Sequence, residues 1–319
     1  MNRFANILVV VEEESQHEAA LERALRLGRD NRARLTFLDV PGDAPGAIER
    51  LLAALPGRAE AGISAQSRAE MEARVEAMAE RARAEGLEAR AAVDEGTAFL
   101  AIIRRVLRDG HDLVLKGQHT GTSRLAGTYR GPDLHLMRKC PCPVWIVKDD
   151  TAAAVRRILA CLDPDTEEGD DTRRELNRLV LELAQALARR DGASVDVLGV
   201  WSVVGESFLR SGRPQIPAEE VDAIVDLERR KSLARLQAMS DAVPAGEVTR
   251  NLLHLKGAPG DVIPEHAAQA GIDTIVMGTV CRTGIAGLVI GNTAETILAR
   301  VSCSVIAVKP PGFVSPVTL

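Results

Sequence analysis

From Gly278 to Thr293 the chain reads Gly-Thr-Val-Cys-Arg-Thr-Gly-Ile-Ala-Gly-Leu-Val-Ile-Gly-Asn-Thr, a glycine-rich loop running into a helix start. Amides at a helix start lack intrahelical acceptors, so those after Gly291, joined by the Asn292 and Thr293 side chains, suit phosphate oxygens. Glycine in such a loop adopts positive φ and lets a ligand approach the backbone. Asp163, just past the apolar run 158–162, offers the complementary chemistry, a carboxylate that accepts hydrogen bonds from ribose hydroxyls or a base amine. Val200 and Trp201 close a second apolar run. The same segment has a reading that needs no ligand: Asn292 followed three residues later by Glu295 is a capping box. Local chemistry leaves both readings open.

The elements that must position these groups come in two copies. Gly96, Asp112, Gly117 and Cys142 recur as Gly257, Asp273, Gly278 and Cys303, each 161 residues on (257−96, 273−112, 278−117, 303−142). A constant offset over such a length means one folding unit repeated, so features kept in one copy alone become the guide to function. Buried-strand runs are predicted at 7–11, 35–40, 89–93, 112–116 and 143–147, with helices at 17–29, 64–85 and 98–108. The second copy repeats them, with strands at 158–162, 195–201, 248–255, 274–277 and 305–308 and helices at 176–190, 218–240 and 262–270. Alternating strands and helices with right-handed crossovers give an α/β fold: two tandem, doubly wound, parallel five-stranded sheets, Rossmann-like, in units 1–150 and 151–319. Such sheets hold ligands beyond the carboxyl ends of their strands, where Asp163, Val200, Gly278, Gly291, Asn292 and Thr293 are expected to converge. The linker 149–154 has neither glycine nor proline, so the units are expected to sit against each other. The helix over 64–85, rich in Glu, Arg and Ala, reads as an ordinary packing helix rather than a coiled coil.

Composition excludes several classes. With 40 basic and 45 acidic residues the net charge is −5, so no overall positive field draws the chain to nucleic acid or an anionic membrane. No apolar stretch approaches the ~20 residues of a spanning helix. The opening run ends at once in Glu12-Glu-Glu14, unlike a signal peptide. The cysteines Cys140, Cys142, Cys161, Cys281 and Cys303 have neither zinc nor redox-pair spacing, so a reducing, cytoplasmic setting is expected. The histidines are scattered, and no metal site is expected. Cys281 reads as a small residue filling the loop rather than a nucleophile. A dinucleotide fingerprint is absent, since Glu12-Glu-Glu14 and Asp163-Pro164 follow the two first strands; P-loop and nucleophile-elbow motifs are absent too. No catalytic residue is assigned.

The segment Gly278-x2-Cys281-x9-Gly291-Asn292 resembles the nucleotide motif G-x2-G-x9-G-[ST] of the universal stress protein family. Ile158-Leu-Ala-Cys-Leu-Asp163, Gly257-Ala-Pro-Gly-Asp-Val-Ile263, Asp273-Thr-Ile-Val-Met-Gly278 and Cys303-Ser-Val-Ile-Ala-Val-Lys309 resemble its strand-and-turn signatures, and the likeness spans the chain in two copies. It implies a cytoplasmic, non-catalytic stress-response protein with an adenine-nucleotide site for ATP with Mg²⁺. Asp163 would face ribose or base, Val200 would lie beside the adenine, and Gly278, Cys281, Gly291, Asn292 and Thr293 would line the phosphates. Two positions depart from the motif, with Cys281 for its second glycine and Asn292 for its Ser or Thr. In the first copy Gly291-Asn292 falls on Arg130-Gly131, followed by Pro132, which has no amide to donate, and the acid Asp133, so its cradle is expected to be lost. The resemblance also implies that 144–147 and 305–308 cover one another, making a pseudo-dimer within one chain; a homo-oligomer stays open. Two alternatives remain. One is a scaffold for an apolar or lipid-like molecule, motivated by Cys281 and the bulk of 288–290. The other is a slow ATPase, for which no candidate beyond Asp163 stands out.

Overall fold

The computed structural model describes residues 4–11, 18–41, 65–118, 132–148, 154–165, 170–211, 216–279 and 291–319. The first copy supplies β1 (Asn6–Val11), α1 (Glu18–Asn31), β2 (Arg34–Asp39), α2 (Ala65–Ala84), β3 (Ala89–Val93), α3 (Ala98–Asp109), β4 (Leu113–Gly117), α4 (Pro132–Lys139) and β5 (Val144–Val147). The second supplies β6 (Arg157–Leu162), α5 (Asp171–Asp191), β7 (Ser194–Trp201), α6 (Glu206–Arg210), α7 (Ala218–Asp241), β8 (Arg250–Lys256), α8 (Pro259–Gln269), β9 (Thr274–Gly278), α9 (Asn292–Leu298) and β10 (Ser304–Val308). Most agree with the periodicity to within a few residues. α5 starts earlier than expected because the Asp170 carboxylate accepts the Arg173 N–H at 3.0 Å and caps it. The short α6 has no counterpart among the expected elements.

The described residues fall into two compact units. One holds those up to Ala154 with Thr279, Gly291 and Ser302–Leu319; the other holds those from Val155 to Gly278 with Asn292–Val301. In the first unit β1 pairs in parallel with β2 and β4, β2 with β3, and β4 with β5, the order β3-β2-β1-β4-β5. β10 then pairs antiparallel with β5, Ile306 facing Trp145, as the exposed-edge argument expects. In the second unit the order is β9-β6-β7-β8, all parallel. The compact units therefore differ from a cut at residue 150, because the last strand of the second copy is counted with the first unit. β1 shows why these strands lie inside: Ile7 to Val11 are each at most 2% exposed, as a parallel strand covered by helices on both faces must be.

The residues repeated at constant offset are framework. Asp112 accepts the Ala5 and Asn6 N–H groups at 2.7 and 3.0 Å, and Asp273 accepts those of Arg156 and Arg157 at 2.7 and 2.8 Å. Each carboxylate ties the first strand of its copy to the turn before the fourth. Gly96 and Gly257 take φ of +109° and +149°, a region side chains rarely enter. Among the described residues no helix is long and apolar enough to cross a membrane.

β10 is held by burial and by one buried cation. Ile306 is 1% exposed and Trp145 is fully buried. Lys309, just past β10, donates its ammonium to Thr279 Oγ1 and lies 5.1 Å from the centre of the Phe313 ring. Burial pushes its pKa from 10.5 down to about 7. Ile306→Ala is expected to cost ~2–5 kcal/mol, measured by urea denaturation, because it leaves a cavity against the Trp145 strand. The folded pKa of Lys309 lies below its unfolded value, so between the two the unfolded chain binds more protons and stability rises with pH. Unfolding free energies measured between about pH 7 and pH 8, below the ordinary cysteine pKa of about 8.5, should show that rise in the wild type and lose it in Lys309→Met.

Candidate functional site

Strand order reverses between β6 and β9, and the carboxyl ends of β9, β6 and β7 stand side by side. Cys161 faces Met277 on one side and Leu198 on the other, which sets Gly278, Asp163 and Val200 at neighbouring positions on three adjacent strands. Asp163 is held by Asn177 of α5: Asn177 Oδ1 accepts the Asp163 N–H at 2.9 Å, and Asn177 Nδ2 donates to the Asp163 carbonyl at 3.0 Å. With its backbone fixed, the Asp163 carboxylate accepts the Asp165 N–H at 3.2 Å and lies 3.7 Å from Arg173 Nη2. Its side chain is 32% exposed. Arg173 also reaches Asp170 at 3.3 Å, so one guanidinium bridges two carboxylates at the start of α5. Asn177 and Arg173 escaped the sequence reading. The signal for Asn177 was a polar residue in register with the buried stripe Val180, Leu181 and Ala184 of α5.

Val200 is 6% exposed, and beside it Trp201 stacks on His254 with ring centres 5.5 Å apart at 10°. Lys256 Nζ lies 5.5 Å from the Trp201 ring centre and 2.7 Å from Glu206 of α6. Hydrogen bonds from Lys256 and then Arg210 hold the Glu206 carboxyl below its usual range. His254 faces Ser232 Oγ at 3.0 Å, and burial lowers its pKa, which favours neutral imidazole. The Gly257 N–H donates to the Trp201 carbonyl at 2.9 Å, bringing the start of α8 to this end of the sheet. α9 packs there in turn, since a β-carbon on Gly260 would lie 2.9 Å from Thr296 Cγ2.

Gly278 is where the structure departs from the sequence argument. A β-carbon there would come within 2.7 Å of Leu176 Cδ2, so this glycine serves the close packing of α5 on β9, and its φ is not in the left-handed region. Asn292 is the first residue of α9, not the residue before it, and Asn292 and Thr293 are both exposed. The Gly291 N–H donates to the Thr279 carbonyl across 3.4 Å. Thr279 is wholly buried, its hydroxyl 3.5 Å from the Met137 carbonyl. Cys281, with Gly284 and Gly287, lies outside the described residues, as do Arg130 and Gly131.

The equivalent positions of the first copy hold a different chemistry. Lys116, at the end of β4, lies 2.9 Å from Asp133 in the first turn of α4, and the two side chains are 1% and 2% exposed. At the 161-residue offset the second copy has Met277 and Ala294, neither charged (277−116, 294−133). Around the first-copy pair, His135 stacks on Phe99 at 4.8 Å, with Lys139 Nζ 4.6 Å from the same ring. Among the described residues no cluster of three His, Cys, Asp or Glu is placed to hold a metal ion.

Comparison with known proteins follows the same two-copy layout. The universal stress protein family model matches residues 3–148 and again 155–309. Universal stress protein E of Escherichia coli strain K12 is 32% identical over 223 residues, covering 69% of this chain and 68% of that protein. The protein of the same name from Salmonella typhi is 28% identical over 329 residues, covering 100% and 98%. Among solved structures, a putative universal stress protein from Pseudomonas aeruginosa UCBPP-PA14 superposes with a TM-score of 0.70 at 23% identity, covering 97% of this chain and 94% of that one. One from Archaeoglobus fulgidus does so with a TM-score of 0.63 at 15% identity, covering 95% and 98%. With both halves matched and the fold shared end to end, this chain belongs to the universal stress protein family, as a member with two tandem domains.

Proposed function

We propose that this chain is a non-catalytic stress-response protein of the cytoplasm that binds a small ligand, an adenine nucleotide such as ATP with its Mg²⁺, in the second copy alone. One observation carries the reading. Where the first copy buries Lys116 against Asp133, with an acid in the first turn of α4, the second has Met277 and Ala294 and leaves Asn292 and Thr293 exposed at the start of α9. In the first copy the chain's own carboxylate takes the place that a phosphate would need, and a buried, paired charge is costly to displace. The domains are then 1–150, a supporting copy, and 151–319, the binding copy.

In the second copy Asp163 is fixed by Asn177 and keeps acceptor capacity toward a hydroxyl or an exocyclic amine. Arg173 balances its charge. Val200 lies beside the base, and Asn292 and Thr293 donate to phosphates. Gly278 contributes by letting α5 close on β9. The set combines an acceptor at one end with donors at the other, and a nucleotide presents the complementary groups in that order.

A ligand that binds only the folded chain at about a hundred times its Kd stabilises it by about 2.7 kcal/mol, so ATP with Mg²⁺ is expected to raise the thermal midpoint measurably. Asp163→Ala should abolish that shift, and an unchanged wild-type midpoint at millimolar nucleotide would remove the nucleotide from the proposal. Cys281→Gly, which restores the motif glycine, should tighten nucleotide binding in calorimetric titration. Phosphate release above a blank, lost in Asp163→Ala, would overturn the non-catalytic part.

A further inference from the structure

α7 differs from its first-copy counterpart in what it leaves outside. α2 buries its large apolar side chains, Met71, Val75 and Met78. α7 buries Val221 and Leu236 against its unit but leaves Ile224 39% and Leu227 47% exposed. On a helix, Glu220, Ile224, Leu227 and Lys231 fall on one line, spaced 4, 3 and 4 residues apart (224−220, 227−224, 231−227). This is the seam spacing of paired helices, lying away from the buried line of Val221, Ser232 and Leu236. The order of charge along the helix is equally uneven. Glu219, Glu220, Asp222, Asp226 and Glu228 come first, and Arg229, Arg230, Lys231 and Arg235 follow.

We propose that the outer seam of α7 pairs antiparallel with the α7 of a second copy of this chain, about a two-fold axis between Val225 and Asp226. In that register residue numbers on facing helices sum to 451: Ile224 meets the second copy's residue 227 and Glu220 meets its residue 231 (224+227, 220+231). The centre is then two Ile–Leu contacts, flanked at each end by a Glu–Lys pair. The pairing is isologous, as closed dimers require. Glu220 is exposed and makes no ion pair among the described residues, so it is available for this contact. Lys231 pairs with Glu228 at 2.8 Å, both about half exposed, and such a surface pair exchanges at little cost. The seam is small beside the ~1,600 Å² of a standard interface, so the dimer should be concentration-dependent.

Glu219 and Glu220 in the first turn also suit the helix macrodipole within one chain, so exchange of charges decides the matter. Sedimentation of the full chain over a range of concentrations should show a monomer–dimer equilibrium. Leu227→Lys, on an exposed position, should weaken it by about tenfold or more by bringing charge to the seam, with the circular dichroism spectrum and melting unchanged. Glu220→Lys and Lys231→Glu should each weaken the dimer, and the double variant should restore it. A wild type that stays monomeric at its highest soluble concentration overturns the proposal, as does a dimer indifferent to Leu227→Lys. A double variant no tighter than either single overturns the antiparallel register.

Discussion

The parallel pairing of β6 with β9, from Ile158 opposite Thr274 to Cys161 opposite Met277, sets where each polar group of the second copy can stand. Two neighbouring parallel strands whose chains leave toward opposite faces open a gap at their carboxyl ends, and backbone amides and side chains gather around it. Asp273 fixes the strands at the other end by accepting the amides of Arg156 and Arg157, so the register cannot slip without losing two charge-assisted hydrogen bonds. A slip of one residue would turn Asp163 and the neighbouring side chains to the wrong faces. The site's geometry therefore rests on a carboxylate at the far end of the sheet.

The two copies share this frame and part company at the gap. Lys116 and Asp133 fill it in the first copy with charges taken almost wholly out of water, an arrangement that is tolerated because each partner compensates the other. In the second copy the residues at these two positions, Met277 and Ala294, are apolar and buried, and Asn292 and Thr293 at the start of α9 are exposed. The same divergence shows on the helices between the second and third strands of each copy. α2 spends its large apolar side chains on its own unit, whereas α7 leaves three, Ile224, Leu227 and Leu233, exposed.

Much of the fold was legible because burial on both faces leaves continuous apolar runs, and the 161-residue offset aligned them without any outside comparison. Asp163, Val200 and Gly278 were legible as strand-end residues for the same reason. Asn177 was not, because its place in line with the buried stripe of α5 marks a buried polar group without naming its partner, the backbone of Asp163. The helix over 64–85 drew the coiled-coil question, while the outward seam lies on α7, since periodicity reports an apolar line but not which line faces the core.

Sequence alone determined the duplication, the alternation of strands and helices, and the residues that end the strands, since each of these is a local pattern of side-chain type and spacing. Tertiary structure decided the rest: that Gly278 is small to admit Leu176, that Asp112 and Asp273 clamp strand starts, and that Lys116 meets Asp133. The physical reason is range. Hydrogen bonds, ion pairs and van der Waals contacts act over a few ångströms between residues far apart in sequence, and only the folded backbone brings them within reach.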